Sequence, residues 1–435
     1  MSAKQPSPEK SCALLWDESF LWGLMAWRTL REAGLPFDLV RSEDLLAGNL
    51  SRYAMILVPG GWASAKLQAL GDEGQMEIRR FVESGGSYLG ICGGAGLATE
   101  NHLGLLPVCR KSNSERVPSF SGPILLTTTE HPIWKNVQTP VFHAWWPPQL
   151  NTTRENDFSI LARYDNAQKD AMTADVRVEE GRITGWPELE KRYGILLDPR
   201  RLKGEPAVVE GICGRGKVIL SLVHFDTPGD SNGALVLRNL WNYLIKDTDR
   251  DFRFGNLSCG RRVHGNDSRQ FMAVLDDIKA AVDHLISVGE HNLLWRRRNS
   301  LLLQWRRGVR GMEYSTLSAI TGEIMARLSC NQAVDACQDK FAPPLDPAQV
   351  TSDLEFIRIL LIPFVDEAAE LLRLERLWLT ASATPGDYPE EKINRLRQNL
   401  FGSSRSFGGK FKNLIGAMDH LLFNLLKQVE IVHKR

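Results

Sequence analysis

Cys92 has the surroundings of a working nucleophile. It lies in Gly85-Gly86-Ser87-Tyr88-Leu89-Gly90-Ile91-Cys92-Gly93-Gly94-Ala95-Gly96-Leu97-Ala98, a strand-like run that meets a helix-compatible one at a G-x-C-x-G core. A side chain on a sharp strand-to-helix turn sits in a strained backbone conformation. Glycines two residues before and after it remove the atoms that would clash. The N–H groups and positive dipole end of the following helix favour thiolate over the free-thiol pKa of about 8.5, which readies the sulfur to attack a carbonyl. A cysteine on a glycine-rich turn also occurs as simple packing, so the motif needs company.

That company is His224, with Asp226 two residues on, after the apolar run Val218–Val223. His224 can serve as general base and then general acid, while Asp226 fixes its tautomer and steadies the imidazolium. Asp226 also suits a plain turn, in Asp226-Thr227-Pro228-Gly229-Asp230. A third piece is Pro59-Gly60-Gly61 after the apolar run Tyr53–Val58. N–H groups of Gly60 and Gly61, with that of Gly93, are candidates for an oxyanion hole. Ligands of open α/β sheets gather at the carboxyl ends of strands, so all three pieces are expected at one edge. Trp134, Trp145 and Trp146 are large aromatics of the kind that fill cores; at the same edge they would wall a pocket, with Trp145 and Trp146 as the substrate-binding candidates.

The elements that must position these residues alternate strand and helix through the first half of the chain, the mark of a doubly wound, mostly parallel α/β sheet. Cys12–Trp16 reads as a buried strand, Leu21–Ala33 as a helix ended by Gly34, and a further helix is expected around Glu73–Ser84. Residues 107–190 read as antiparallel strands and loops. Gly214–Lys217 reads as a hairpin turn before the strand that leads to His224, and a helix over Gly233–Ile245 closes the unit. We therefore expect an α/β domain over 10–247, a polar, Gly-rich linker over 248–268 and an α-helical domain of unknown role over 269–435.

In that second half, apolar residues recur at helical spacing from Phe271 to Leu285 and from Phe411 to Val429. Ser352 with Glu355 suggests a capping-box start, and Pro363 a kink. Trp295-Arg296-Arg297-Arg298 through Arg310 reads as a basic amphipathic segment, most simply a bundle helix with a solvated arginine face. Gly408-Gly409-Lys410 fails as a phosphate loop, because Ser404 stands where the earlier glycine is needed and Phe411 replaces the Ser or Thr.

Composition adds exclusions. A chain of 435 residues, 43% hydrophobic and 24% charged, with a net charge of +1, is an ordinary globular composition without a whole-protein pull toward nucleic acid. The amino terminus lacks a secretory pattern, and no apolar run reaches the ~18 residues of a membrane span. Seven scattered cysteines, with no C-x-x-C pair, point to reduced thiols in the cytoplasm. His102, His131 and His143 lack ligand spacing, so neither a metal nor another cofactor is expected.

The G-x-C-x-G turn, the glycine-rich strand end and the late histidine together resemble the class I glutamine amidotransferase-like superfamily. More narrowly, LVPGGWASAKLQALGDEGQMEIRRFVESGGSYLGICGGAGLA (Leu57–Ala98), with HPIW at His131–Trp134, is similar to the amino-terminal domain of biotin-protein ligases. The resemblance covers roughly 10–247. It implies a flavodoxin-like fold and a thiol hydrolase that opens a small, glutamine-type amide through a thioester on Cys92. Two other readings stay open: a non-catalytic binding module on the same fold, with the helical half meeting a protein partner, or a peptidase- or deglycase-like thiol hydrolase. The family pattern has His-Pro-Glu where this chain has His224-Phe225-Asp226, a shorter acid. No ligase catalytic domain follows, so biotin transfer is not expected.

Overall fold

The computed structural model describes residues 12–151, 157–245, 268–330, 346–380, 390–403 and 406–427. The chain divides into two compact units, Met1–Asn256 and Leu257–Arg435. The expected linker over 248–268 lies outside the described residues, save Ser268, which opens a helix.

The first unit is built on an 11-stranded mixed sheet. Gly216–Ser221, Ser87–Ile91, Met55–Val58, Cys12–Leu15 and Asp38–Val40 run side by side in parallel. The strands Cys12–Leu15, Met55–Val58 and Ser87–Ile91 are apolar almost throughout and buried along their whole length, as parallel strands covered on both faces must be. Beyond Gly216–Ser221 the sheet turns antiparallel through Pro206–Cys213, Ser159–Ala167 and Phe120–Thr128, to which Val141–Trp145 also pairs. The irregular stretch of the sequence is therefore this antiparallel half. Gly214 is the left-handed corner (φ +58) of the hairpin joining Pro206–Cys213 to Gly216–Ser221.

Helices cover the sheet. Phe20–Glu32 precedes a left-handed Gly34 (φ +68), and Ser231–Leu244 starts from Asp230, whose carboxylate accepts the Gly233 N–H at 3.0 Å. The helix expected around Glu73–Ser84 begins earlier, at Ala63, and is interrupted at Gly71, whose φ of 58° only glycine adopts freely.

The second unit consists of the helices Ser268–His291, Gly311–Cys330, Pro347–Thr380, Glu390–Phe401 and Gly409–Lys427 around one apolar core. Two expectations are corrected there. Trp295–Trp305 is not a helix but an antiparallel hairpin, Trp295–Arg297 against Leu303–Trp305. Trp295 and Leu303 are buried and Arg296 and Arg297 exposed, so this short stretch serves both a strand and a helix pattern. The helix through Ser352 begins five residues sooner, at Pro347 in the first turn, with the Asp346 carboxylate accepting the Ala348 N–H at 3.0 Å.

That helix, Pro347–Thr380, carries Pro363 inside it, on an exposed face. Proline there withholds the N–H owed to the Ile359 carbonyl and crowds the preceding turn. Pro363→Ala is expected to stabilise the helical unit by about 1–3 kcal/mol, read as a higher urea midpoint. A midpoint that falls would show that the surroundings have adapted to the ring.

Candidate active site

The parallel strands end at a common edge, and there the sequence-predicted residues meet. Ser87–Ile91 is flanked by Met55–Val58 on one side and Gly216–Ser221 on the other, so the cysteine, the glycine loop and the histidine leave neighbouring strands. Cys92 follows Ile91 with φ 51 and ψ −102, outside the regions a side chain prefers. Its N–H donates to the Ser221 carbonyl at 2.7 Å and its carbonyl accepts the Gly96 N–H at 2.9 Å. The helix beyond it, Gly93–Leu97, is one short turn and a half.

The glycines around it are steric requirements. A Cβ on Gly93 would lie 1.9 Å from the Gly61 carbonyl oxygen, one on Gly94 1.9 Å from that of Val58, and one on Gly90 2.6 Å from that of Gly94. The Cys92 turn and the Gly60-Gly61 loop are thus pressed backbone to backbone. Gly61 also has φ +113, and a Cβ there would meet the Glu18 carbonyl at 2.7 Å.

His224 is fully buried. Its N–H donates to the His143 carbonyl at 2.7 Å, tying it to the strand Val141–Trp145, and its Nδ1 lies 2.9 Å from the buried Asp226 Oδ1. Nε2 has no protein partner at good hydrogen-bond geometry, yet Cys92 stands close enough to raise the imidazole pKa through hydrogen bonding and charge. Loose nucleophile–base alignment is usual before substrate binds. Burial pushes the imidazole pKa down, but the Asp226 carboxylate and then Cys92 outweigh it, and the result is a rise to about 10. Cys92 is 8% exposed, and its Sγ approaches the Trp145 carbonyl at 3.8 Å.

The tryptophans separate. Trp145 is buried, its Nε1–H donates to the Thr227 hydroxyl at 3.2 Å, and its ring stacks on His143 at 5.2 Å. Trp146 is half-buried at a left-handed φ of 51°. Trp134 packs with Phe142 and Phe225 in the core.

Three participants escaped the sequence reading. Trp22 lies with its ring 4.9 Å from that of His224 and meets Trp146 edge to face at 6.3 Å. Lys66 is fully buried, and its Nζ donates to the Asp17 carbonyl at 3.1 Å and the Ser19 hydroxyl at 2.5 Å. His143 Nδ1 pairs with Asp230 Oδ2 at 3.2 Å. For Lys66 a signal existed, since it follows the Pro59-Gly60-Gly61 loop. Among the described residues no group of His, Cys, Asp and Glu is placed to hold a metal ion, and no helix is long and apolar enough to cross a membrane.

The first unit is an α/β domain built on a mixed sheet. Within it, residues 45–102 match the family described as "Biotin-protein ligase, N terminal". The chain is also 24% identical over 193 residues to the phosphoribosylformylglycinamidine synthase subunit PurQ of Lacticaseibacillus paracasei, covering 40% of this chain and 82% of the relative. The same subunit of Lacticaseibacillus casei is 23% identical over the same shares. Among solved structures, PurLQS from Thermotoga maritima aligns with 54% of this chain and 99% of its own at a TM-score of 0.36 and 18% identity. A ThuA-like protein from Bacteroides uniformis aligns with 57% of this chain and 95% of its own at 0.37 and 13%.

Two outcomes test the geometry. Gly93→Ala is expected to destabilise the first unit by about 1–3 kcal/mol in urea titration, and a neutral effect would mean that the two loops separate freely. The His224 pKa, at about 10, stands above the ordinary value near 6.5. The stability it contributes is therefore fully present below pH ~6.5 and lost as pH rises toward 10. The stability difference between wild type and His224→Gln should accordingly shrink across that window. A constant difference would mean that the imidazole is neutral in the fold.

Proposed function

We propose that the first unit is a glutamine amidotransferase-like thiol hydrolase acting on a small, glutamine-type amide through Cys92, His224 and Asp226. The observation that carries the reading is the convergence of three distant segments on one strand edge: the strained Cys92, the Asp226-bound His224 that Cys92 influences electrostatically, and the Gly60-Gly61 loop against Gly93.

The chemistry follows from those groups. The Cys92 thiolate adds to the amide carbonyl carbon, and the oxygen takes the charge beside the N–H groups of Gly93 and the Gly60-Gly61 loop. The protonated His224 gives its proton to the departing nitrogen as the C–N bond breaks, leaving an acyl thioester and ammonia. Neutral His224 then takes a proton from water, whose oxygen attacks the thioester. The carboxylic acid leaves, and Cys92 regains its thiolate beside the imidazolium. Asp226 holds the Nδ1 side of the ring throughout. Half-buried Trp146 would border the substrate, whereas Trp145 would act through its carbonyl rather than its indole.

A second reading rests on the fully buried His224 and the 8% exposure of Cys92: a binding module that keeps the fold without turnover. In that case the helical half, whose Phe356 and Ile359 are 56% and 65% exposed, would meet a protein partner.

Labelling of Cys92 by a glutamine-analogue electrophile, followed by peptide mass, separates the two. The enzyme reading expects rapid labelling at neutral pH, loss in Cys92→Ser and slowing of at least ~100-fold in His224→Ala, with ammonia released from glutamine or a related amide. Labelling no faster than that of an ordinary thiol leaves the binding module.

A further inference from the structure

An indole packs close to the His224 ring. Trp22 and His224 have ring centroids 4.9 Å apart and planes tilted by 33°. The contact needs Gly60 to be glycine, because a Cβ there would lie 2.9 Å from Trp22 Cγ and 3.1 Å from His224 Cε1. The glycine that borders the nucleophile turn thus also lets the two rings close over the loop.

Trp22 is held in that place from both ends of its helix. The turn leading into Phe20–Glu32 carries two left-handed residues, Glu18 (φ 52) and Phe20 (φ 44). Buried Lys66 ties that turn down through the Asp17 carbonyl and the Ser19 hydroxyl, and the Trp22 N–H donates to the Ser19 carbonyl at 2.9 Å. Two turns further along, the Thr29 hydroxyl donates to the Asp226 carbonyl at 2.8 Å. One helix is therefore fastened to the acid of the site at Thr29 and packed against its base at Trp22. Trp146 meets the indole edge to face at 6.3 Å.

An indole face is the negative pole of its quadrupole and attracts a cation within about 6 Å. The attraction is much weaker for a neutral imidazole, so the contact favours one protonation state over the other. We propose that Trp22 is a positioning residue whose indole face stabilises the imidazolium of His224 and thereby keeps Cys92 as the thiolate. The proposal rests on the reading of Cys92 and His224 as the working pair. It adds a third determinant of their charge state beside Asp226 and the nucleophile turn. Other ionisable groups nearby have partners: His143 with Asp230, Lys66 with the Asp17-Ser19 turn, and Tyr164, a phenol that feels the charge of Cys92 and whose hydroxyl donates to the Leu222 carbonyl at 3.4 Å. Cys92 and Asp226 are the groups that raise the imidazole's proton affinity against the effect of burial.

The test is the pH dependence of Cys92 alkylation by iodoacetamide in the full chain, read on the Cys92 peptide by mass. The wild-type midpoint is the reference, read against the ~8.5 of a free thiol. Trp22→Leu should move that midpoint up by about half to one pH unit, and Trp22→Phe by less. Packing loss alone would change the rate at every pH and leave the midpoint in place. Biosynthetic replacement of tryptophan by 5-fluoro- and then 5,6-difluorotryptophan keeps the shape and weakens the ring's negative face. The midpoint should rise stepwise with fluorination, and Trp22→Phe should abolish that dependence, so the result does not hang on Trp22→Leu folding. A wild-type midpoint near that of a free thiol would remove the working pair itself. A depressed wild-type midpoint that fluorination and Trp22→Leu leave unmoved would overturn the role of Trp22 alone.

Discussion

The backbone at Cys92 is the constraint on which the rest of the first unit depends. At φ 51 and ψ −102 the residue costs on the order of 1–3 kcal/mol relative to a relaxed conformation, and the surroundings must hold it there. They do so by close approach. Gly90, Gly93 and Gly94 each put backbone where a Cβ would collide with a carbonyl, and the Cys92 N–H is claimed by Ser221 on the neighbouring strand. Because Met55–Val58 and Gly216–Ser221 flank Ser87–Ile91 in parallel register, the glycine loop and the histidine arrive beside the sulfur without any further device. Parallel pairing thus decides which residues meet, and glycine decides how closely.

Electrostatics then selects the charge state. His224 and Asp226 are both fully buried, an arrangement that costs heavily in desolvation unless the charges answer one another. The 2.9 Å contact at Nδ1 answers one side of the ring, and the indole of Trp22 packs close to it. Among the described residues, Nε2 and Asp226 Oδ2 have no protein hydrogen-bond partner.

The legible part of the site was the part written in local sequence. Cys92 and Gly60-Gly61 sit where apolar strands break into glycine, and His224 follows another such strand, so residue type and spacing announce them. Trp22 could not be read that way. It stands among Phe20, Leu21, Leu24 and Met25, all buried, and only the crossing of the first helix over the His224 loop distinguishes it from core. Asp226 was ambiguous for a related reason: turn and triad demand the same residue, and the Nδ1 contact is a tertiary fact. In the second unit, the hairpin at Trp295–Trp305 was missed because three-residue strands carry too little alternation to outvote a helical neighbourhood. Asp346-Pro347 held the true helix start, while Ser352 offered a stronger-looking but interior signal.

The arginine-rich stretch shows why charge in a sequence is a weak guide to partners. Arg310 pairs with Glu313 and Arg297 with Glu290. Elsewhere in the unit Arg327 pairs with Glu323 and Arg397 with Glu375. Three of these carboxylates, Glu313, Glu323 and Glu375, are almost completely buried. Losing Arg397 would strand the buried Glu375 in a low-dielectric core and break a tie between two helices, whereas the Arg310–Glu313 and Arg327–Glu323 pairs lie within single segments and Arg297–Glu290 is largely exposed. In the described residues, the combination of a strained Cys92, a fully buried His224 and close-set glycines occurs in the first unit, at the strand ends where parallel pairing collects it.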